Sequence, residues 1–328
     1  MCLNEYYNNF AISQSYLKTY LYGNPNKIIV DDDFFEESDA ITIGNIVDKI
    51  ITSTQEDILK SYHIVDIKKP SDTICKMCDF IKNKLLIFEE LDKLDDYILE
   101  AHSYYNHQPK HLKETKLKNF KNEETKNYWK FLWESEGKKI VGKEEILKAF
   151  NVAQSLLTNK FTKDKLIGIY QHPVYFKYRD LDCKMLLDVV EFKDYIYPRD
   201  IKSTGVYTNN FRTIAKKLRY DIQAAFYTEG LKITYDKPIA PFEFIVESTK
   251  KQGFPLIYRC TKDDLYVGKH GTSTYYVNDL VKGKYVNPIL GFDNLIDLHL
   301  WYQDHPDIIL DKEVYENDGI MDLNLFNV

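Results

Sequence analysis

Residues 183–204 read CKMLLDVVEFKDYIYPRDIKST, and the rest of the chain is read outward from them. The stretch reads as two β-strands joined by a short turn. The first strand ends with Asp188, and the second carries Asp200, Ile201 and Lys202. Side chains alternate along a strand, so Asp200 and Lys202 share one face while Ile201 takes the other. Ile201 is then free to enter the core. An acid and a lysine stand together on the opposite face, and Asp188 meets them from the neighbouring strand.

Two carboxylates on adjacent strands form a hard-oxygen site suited to Mg²⁺. A lysine beside them can polarise a water or steady the charge of a phosphate. That combination is chemistry for hydrolysing a phosphodiester bond. A solvated hairpin also carries D-x-K by chance, so the surrounding chain has to decide.

Composition narrows the class. The chain has 328 residues, 44% hydrophobic and 29% charged, which is the make-up of a globular protein with room for one large domain or two. The first residues, MCLNEYYNNF, have neither a basic nor an apolar leader region, and no apolar run nears the roughly 20 residues that span a bilayer. The expectation is a cytoplasmic protein with no membrane partner. Five cysteines at irregular positions suit free thiols in a reducing compartment. The net charge of −6 argues against a broad nucleic-acid-coating surface but leaves a local one open.

Ahead of the hairpin the sequence is mostly helical, and residues 1–160 are expected as a helical region. AISQSYLKTYL (11–21) predicts a short helix capped by Ser13 or Ser15, Asn24–Asn26 a turn, and the acidic run 31–38 a loop or a solvated helix start. Residues 39–52 place Ile43, Ile46, Val47, Ile50 and Ile51 at helical spacing, with Gly44 and Asp48 one turn apart. Alone, Asp48 reads as an exposed helix acid. Residues 53–112 read as helical. Cys75 and Cys78 form a lone CxxC without the further ligands that a metal cluster needs. The lysine- and glutamate-rich 113–127 reads as a solvated helix or linker. Two helices are expected within 126–159, the second turning Ile146, Leu147, Phe150, Ala153, Leu156 and Leu157 to the core.

From Leu166 the period changes. Residues 166–171 and 173–179 read as two strands, followed by the Asp188 and Asp200 strands and by further strands within 241–251 and 255–260. Residues 161–328 are thus expected as the core, continuous with the helical region and closed by a packing helix near the C-terminal end. Residues 209–230 predict one long helix, with Phe211, Ile214, Ala215, Leu218, Ile222, Ala225 and Phe226 buried. A second stripe holds Lys216, Arg219, Tyr220, Gln223 and Tyr227. From Lys202 to Tyr220 there are five basic residues and no acid, so Arg212, Lys216, Lys217 and Arg219 are candidates for phosphate contacts. An ordinary amphipathic helix with a basic exposed face accounts for them equally well.

In order, these features are Gly44-x-x-x-Asp48 on a helix, Asp188-x₁₁-Asp200-x-Lys202 on two strands, and Tyr220-x-x-Gln223-x-x-x-Tyr227 on a helix. Together they resemble the exonuclease branch of the PD-(D/E)XK superfamily, notably the phage recombination exonucleases of the RecE and lambda-exonuclease type. The segment GKKIVGKEEILKAFNVAQSLL (137–157) resembles the same group. Leu187 stands where the motif has proline, and Asp48 where relatives more often have histidine. The resemblance implies an α/β (α+β) fold: a PD-(D/E)XK core with a central mixed β-sheet flanked by helices, behind a helical N-terminal region.

It further implies Asp48, Asp188, Asp200 and the Ile201 carbonyl as metal ligands. Lys202 would position the attacking water, and Gln223 and Tyr227 would orient water and scissile strand. The implied cofactor is Mg²⁺, with Mn²⁺ able to substitute. No iron–sulfur cluster is expected, since the cysteines do not match the set that some relatives carry. The implied activity is a DNA exonuclease working 5′→3′ from double-stranded ends in phage-type recombination or replication. Its implied associations are a single-strand annealing protein and a homo-oligomeric ring. An endonuclease of repair or restriction, and a silent DNA-binding protein of the same fold, are the alternatives.

Overall fold

Among the strands of the computed structural model, which describes residues 3–23, 39–277 and 286–319, the first two pair across a long gap in sequence. β1 (Tyr62–Val65) and β2 (Lys139–Gly142) form a parallel pair inside stretches expected to be helix or turn. Neither strand has local periodicity to announce it, because a parallel partner is supplied by a distant part of the chain. They belong to one of two compact units, residues 37–154. This unit also contains the expected helix Asp39–Thr52. Its own core includes Met77, Cys78, Ile81, Ile98, Phe120 and Trp129. Cys75 and Cys78 are buried there as thiols, where they act as small apolar side chains.

The other unit joins residues 1–36 to 155–328. The expected boundary near 160 puts the N-terminal segment with the helical region, whereas it groups with the sheet. The reason is pairing and burial. Ile12 bridges to Cys183, donating its N–H to the Asp182 carbonyl and accepting from Lys184 N–H, both at 2.8 Å. Ser13 caps the helix Gln14–Leu17, a 3₁₀ turn carries on from Lys18 to Tyr22, and Leu17 and Tyr20 enter the sheet's core. The turn expected at Asn24–Asn26 and the acidic run 31–38 lie outside the described residues.

The sheet runs β3 (Ile169–Tyr178), β4 (Leu181–Phe192), β5 (Ile196–Thr204), β6 (Glu243–Ser248) and β7 (Leu256–Arg259), in that spatial order. β5 and β6 are parallel and all other neighbours are antiparallel, so the sheet is mixed as expected. Two expected strands merge into β3. β4 continues beyond Asp188 to Phe192, because Val189 and Val190 still pair with Arg199 and Pro198.

The helix expected over 209–230 is two helices, Phe211–Lys217 and Tyr220–Thr234, broken at Arg219, whose φ is 51°. A left-handed residue stops helix propagation. The ion pair of Arg219 with Asp221 (Nη2 to Oδ2, 2.8 Å) holds the break. Phe211 and Tyr220 thereby both reach the Phe244 ring, at centroid distances of 6.1 and 5.4 Å. Leu218, expected in the core, is exposed instead. The helix Lys143–Thr158 also turns a different face inward. Ala149, Val152, Ala153 and Leu156 are buried, whereas Leu147, Phe150 and Leu157 are exposed.

The core under the Tyr220–Thr234 helix contains Met185, Leu187, Ile222, Phe226, Phe242, Phe292, Leu295 and Ile296, all fully or almost fully buried. The C-terminal packing helix is Phe292–Asp304. On the helix Lys262–His270, a Cβ added at Gly268 would sit 2.1 Å from the Asp221 carbonyl oxygen. Backbone cannot yield as a side chain does, so Gly268→Ala should destabilise the unit by about 1–3 kcal/mol despite alanine's better helix propensity. Urea unfolding checks this. Among the described residues no helix is long and apolar enough to cross a membrane.

Candidate active site

The site exists because β5 leaves β4. Their ladder runs from Phe192↔Ile196 to Val189↔Arg199 and pairs no residue further. At the next position the Asp188 carboxylate replaces a backbone partner, its Oδ2 accepting the Ile201 N–H at 2.9 Å. Within a strand the N–H and C=O of one residue point to the same edge. The Ile201 carbonyl therefore opens into the gap that Asp188 also faces. Further along β4, Ile12 of the N-terminal segment takes the edge that β5 has left.

Alternation then sorts the β5 side chains as expected. Asp200 and Lys202 lie on the face covered by the Tyr220–Thr234 helix, with Asp200 only 3% exposed. Gln223 Nε2 donates to Asp200 Oδ1 at 2.5 Å, and the Lys202 ammonium forms an ion pair with Oδ2. That oxygen is buried and accepts no aligned hydrogen bond. Burial works against the charge on Lys202, but Asp200, Tyr220 and Asp188 outweigh it and hold the ammonium above the ordinary lysine value. Lys202 is therefore a cation at any neutral pH. Its Nζ also stands 5.1 Å from the Tyr220 ring centroid. Tyr227, one turn after Gln223, is buried within the fields of Asp200 and Asp188, and burial keeps its phenol protonated.

The opposite face carries the support. Arg199, 3% exposed, ion-pairs with Glu191 (Nη2 to Oε2, 2.9 Å) and lies 3.6 Å from Glu243. Its Nη1 donates to the Lys165 and Ile167 carbonyls at 3.0 and 3.3 Å. Ile201 is buried on this face as well.

Of the residues singled out in the sequence, Asp188, Asp200, Ile201, Lys202, Gln223 and Tyr227 thus gather within one unit. Asp48 stands on the Asp39–Thr52 helix of the other unit. Arg212, Lys216 and Lys217 are exposed on the Phe211–Lys217 helix, and Arg219 is engaged with Asp221. The break at Arg219 removes Lys216 and Arg219 from the stripe they were expected to share with Gln223 and Tyr227.

Two neighbours of the site escape a reading of the sequence. Gln171 on β3 points its amide at Asp188 Oδ1, at a long 3.4 Å, and pairing along a single continuous β3 would have put it opposite Asp188. Lys18 comes from the N-terminal segment, and nothing in its local sequence marks it. Its Nζ donates to the Leu218 carbonyl at 3.0 Å and lies 5.6 Å from the Tyr220 centroid. Burial and the nearby Lys202 ammonium pull Lys18 down to about 8.

Among the described residues no group of three or more His, Cys, Asp or Glu side chains forms a metal cage. Two carboxylates and one carbonyl nevertheless fit a hard divalent cation that keeps several of its own waters. The buried Asp200 Oδ2, which has no partner beyond the Lys202 ammonium, is likewise a place for positive charge.

This geometry can be set beside known proteins. One solved structure, from Eubacterium rectale and described as a "Putative exonuclease", is similar over 100% of this chain and 91% of its own, with 13% identity and a TM-score of 0.47. No curated protein matches the chain. Residues 101–267, just over half of the chain and including the whole carboxylate and lysine hairpin, match the family described as "PDDEXK-like domain of unknown function (DUF3799)". The protein belongs to that family, and with it to the PD-(D/E)XK nuclease superfamily.

Proposed function

We propose that this protein is a Mg²⁺-dependent exodeoxyribonuclease that hydrolyses phosphodiester bonds from the ends of duplex DNA, in the 5′→3′ direction. The observation that carries the reading is the juxtaposition of Asp188, Asp200 and the charged Lys202 where β5 parts from β4. Membership of the PDDEXK-like family supports a nuclease. Exonucleolytic action, polarity and metal dependence rest on the resemblance of the motif set.

In this reading Asp188, Asp200 and the Ile201 carbonyl would hold the ion. When bound, Mg²⁺ supplies electrostatic stabilisation to the phosphoryl oxygens and to the leaving oxygen. The chain's own groups do the rest. Lys202, held protonated by its carboxylate neighbours, stabilises charge at the attacked phosphate and orients the nucleophilic water. Gln223 fixes the Asp200 carboxylate by donating to Oδ1, which leaves Oδ2 directed at Lys202. The buried Tyr227 closes the site behind Gln223 and limits competing water. Arg212, Lys216 and Lys217 contact the DNA backbone. The setting is cytoplasmic phage-type recombination or replication, with a single-strand annealing protein as partner and a homo-oligomeric ring as assembly.

Incubation of linear duplex and closed circular DNA with Mg²⁺ or with EDTA tests the reading. The expected result is loss of the linear DNA alone, and only with Mg²⁺. Cutting of the circle would replace the exonuclease by an endonuclease. Binding without cleavage of either substrate would replace it by a silent DNA-binding protein.

A further inference from the structure

We propose that Lys18 is a nucleic-acid phosphate contact of this site, a positioning residue that the N-terminal segment delivers next to Lys202. The inference rests on the nuclease reading and adds to it a residue outside the expected motif set.

The argument begins with charge pairing. Three cations of this unit lie around Tyr220: Lys202, Arg219 and Lys18. Lys202 is matched by Asp200, and Arg219 by Asp221. Among the described residues Lys18 has no carboxylate at ion-pair distance. It donates to a backbone carbonyl, that of Leu218, which the helix break at Arg219 sets free. A half-buried ammonium whose hydrogen bond goes to a neutral carbonyl, with Asp221 and Asp200 acting on it only from beyond ion-pair distance, is incompletely compensated, and an anion would complete the compensation.

Its position is built rather than incidental. Ile12 pairs on the edge of β4 that β5 abandons, Ser13 caps the following helix, and Leu17 anchors the segment with full burial. Lys18 comes directly after, and its ammonium stands near the same Tyr220 ring as that of Lys202. The same departure of β5 that opens the carboxylate site therefore makes room for the segment that carries Lys18. The polyanion such a site receives is a nucleic-acid strand, and a strand has phosphates on both sides of the bond being cut. Lys202 serves the reacting phosphate and Lys18 one of its neighbours. This geometry makes Lys18 a contact formed equally in the ground state and the transition state, so it acts on binding more than on the chemical step.

The test uses the full chain and a short fluorescent DNA duplex with Ca²⁺ in place of Mg²⁺, with affinity measured across a salt series. Lys18→Met keeps the apolar stem and removes the charge; Lys18→Arg keeps the charge. One phosphate contact contributes about 0.9 to the slope of log affinity against log salt. Lys18→Met should flatten the slope by about that amount and weaken binding by about 10-fold at low salt. Lys18→Arg should retain the wild-type slope. In Mg²⁺, Lys18→Met should raise KM with little change in kcat. A purely structural role would lower the melting temperature of Lys18→Met and leave the salt slope intact, which would overturn the proposal. Wild-type protein that cleaves DNA but has the same slope as Lys18→Met would overturn it too, with the nuclease reading untouched. Wild-type protein that neither binds nor cleaves DNA would overturn both.

Discussion

Lys202→Met is expected to lower the rate of duplex hydrolysis by at least on the order of 10²–10³-fold, and Asp200→Asn by as much or more. Lys202 is the cation of the site, kept charged by Asp200 and Asp188 against its own burial. Methionine fills a similar volume without charge, so transition-state stabilisation is lost while packing against Tyr220 and Phe244 is kept. Asp200→Asn keeps the shape of the side chain and removes the charge that a divalent ion and Lys202 both need. Single-turnover hydrolysis of end-labelled duplex reads the effect on rate. A second readout does not depend on activity. Without Lys202, Asp188 and Asp200 lose the ammonium that both act on, so Mg²⁺ should raise the melting temperature of Lys202→Met more than that of wild type. In Asp200→Asn the Mg²⁺ effect should shrink below wild type. Full hydrolytic activity in either variant would mean that the reaction takes place elsewhere.

The largest stability effect is expected on the reverse face of the same strand. Arg199→Met removes the centre of a buried ion cluster and leaves Glu191 and Glu243 short of a cation. Breaking a buried pair from one side costs about 3–5 kcal/mol, here because Glu191 keeps only Lys193 and the Lys165 and Ile167 carbonyls lose their donor. A fall of about 10 °C in the melting temperature is the corresponding observation. The acid limb gives the sign. Burial pushes both carboxyls up, but hydrogen bonds and ion pairs outweigh it and hold each below its ordinary value: Lys193 and Arg199 for Glu191, Lys165 and Arg259 for Glu243. A depressed carboxyl contributes stability that is complete above its unfolded pKa of 4.5 and is lost as pH falls through the folded value. The gap between wild type and Arg199→Met should therefore be widest near neutrality and narrow below about pH 4.5. A gap that stays constant into acid would show that Arg199 works through packing alone. Because Arg199 directly precedes Asp200, the variant should also lose hydrolytic activity under conditions where it is still folded.

Several expectations differ from the structure for one shared reason. Residues 209–230 have helical spacing throughout, yet the chain breaks at Arg219, since one straight helix does not bring both Phe211 and Tyr220 onto Phe244. The Lys143–Thr158 helix is legible in its spacing, but Leu147 and Phe150 are exposed while Ala149 and Val152 are buried. Hydrophobicity ranks side chains by their own transfer cost. Which face of the helix is covered is set by the segments packed on it, and that is not written in the helix's own spacing.

By itself the sequence determined whatever rests on local periodicity and residue chemistry. Alternation in 183–204 put Asp200 and Lys202 on one face and Ile201 on the other, helical spacing put Gln223 and Tyr227 one turn apart, and the carboxylates with the lysine named a class of chemistry. The tertiary structure decided everything that depends on pairing between distant segments. It ended the β4–β5 ladder at Val189 and Arg199, placed Ile12 on the edge left open, and so brought Lys18 beside residues about 200 positions away. It also joined β1 to β2, which are separated in sequence by the helices between Asp72 and Glu134. Local pattern is encoded in neighbours along the chain; these contacts arise only when burial and backbone pairing are satisfied together, and no single stretch carries the record of its partner.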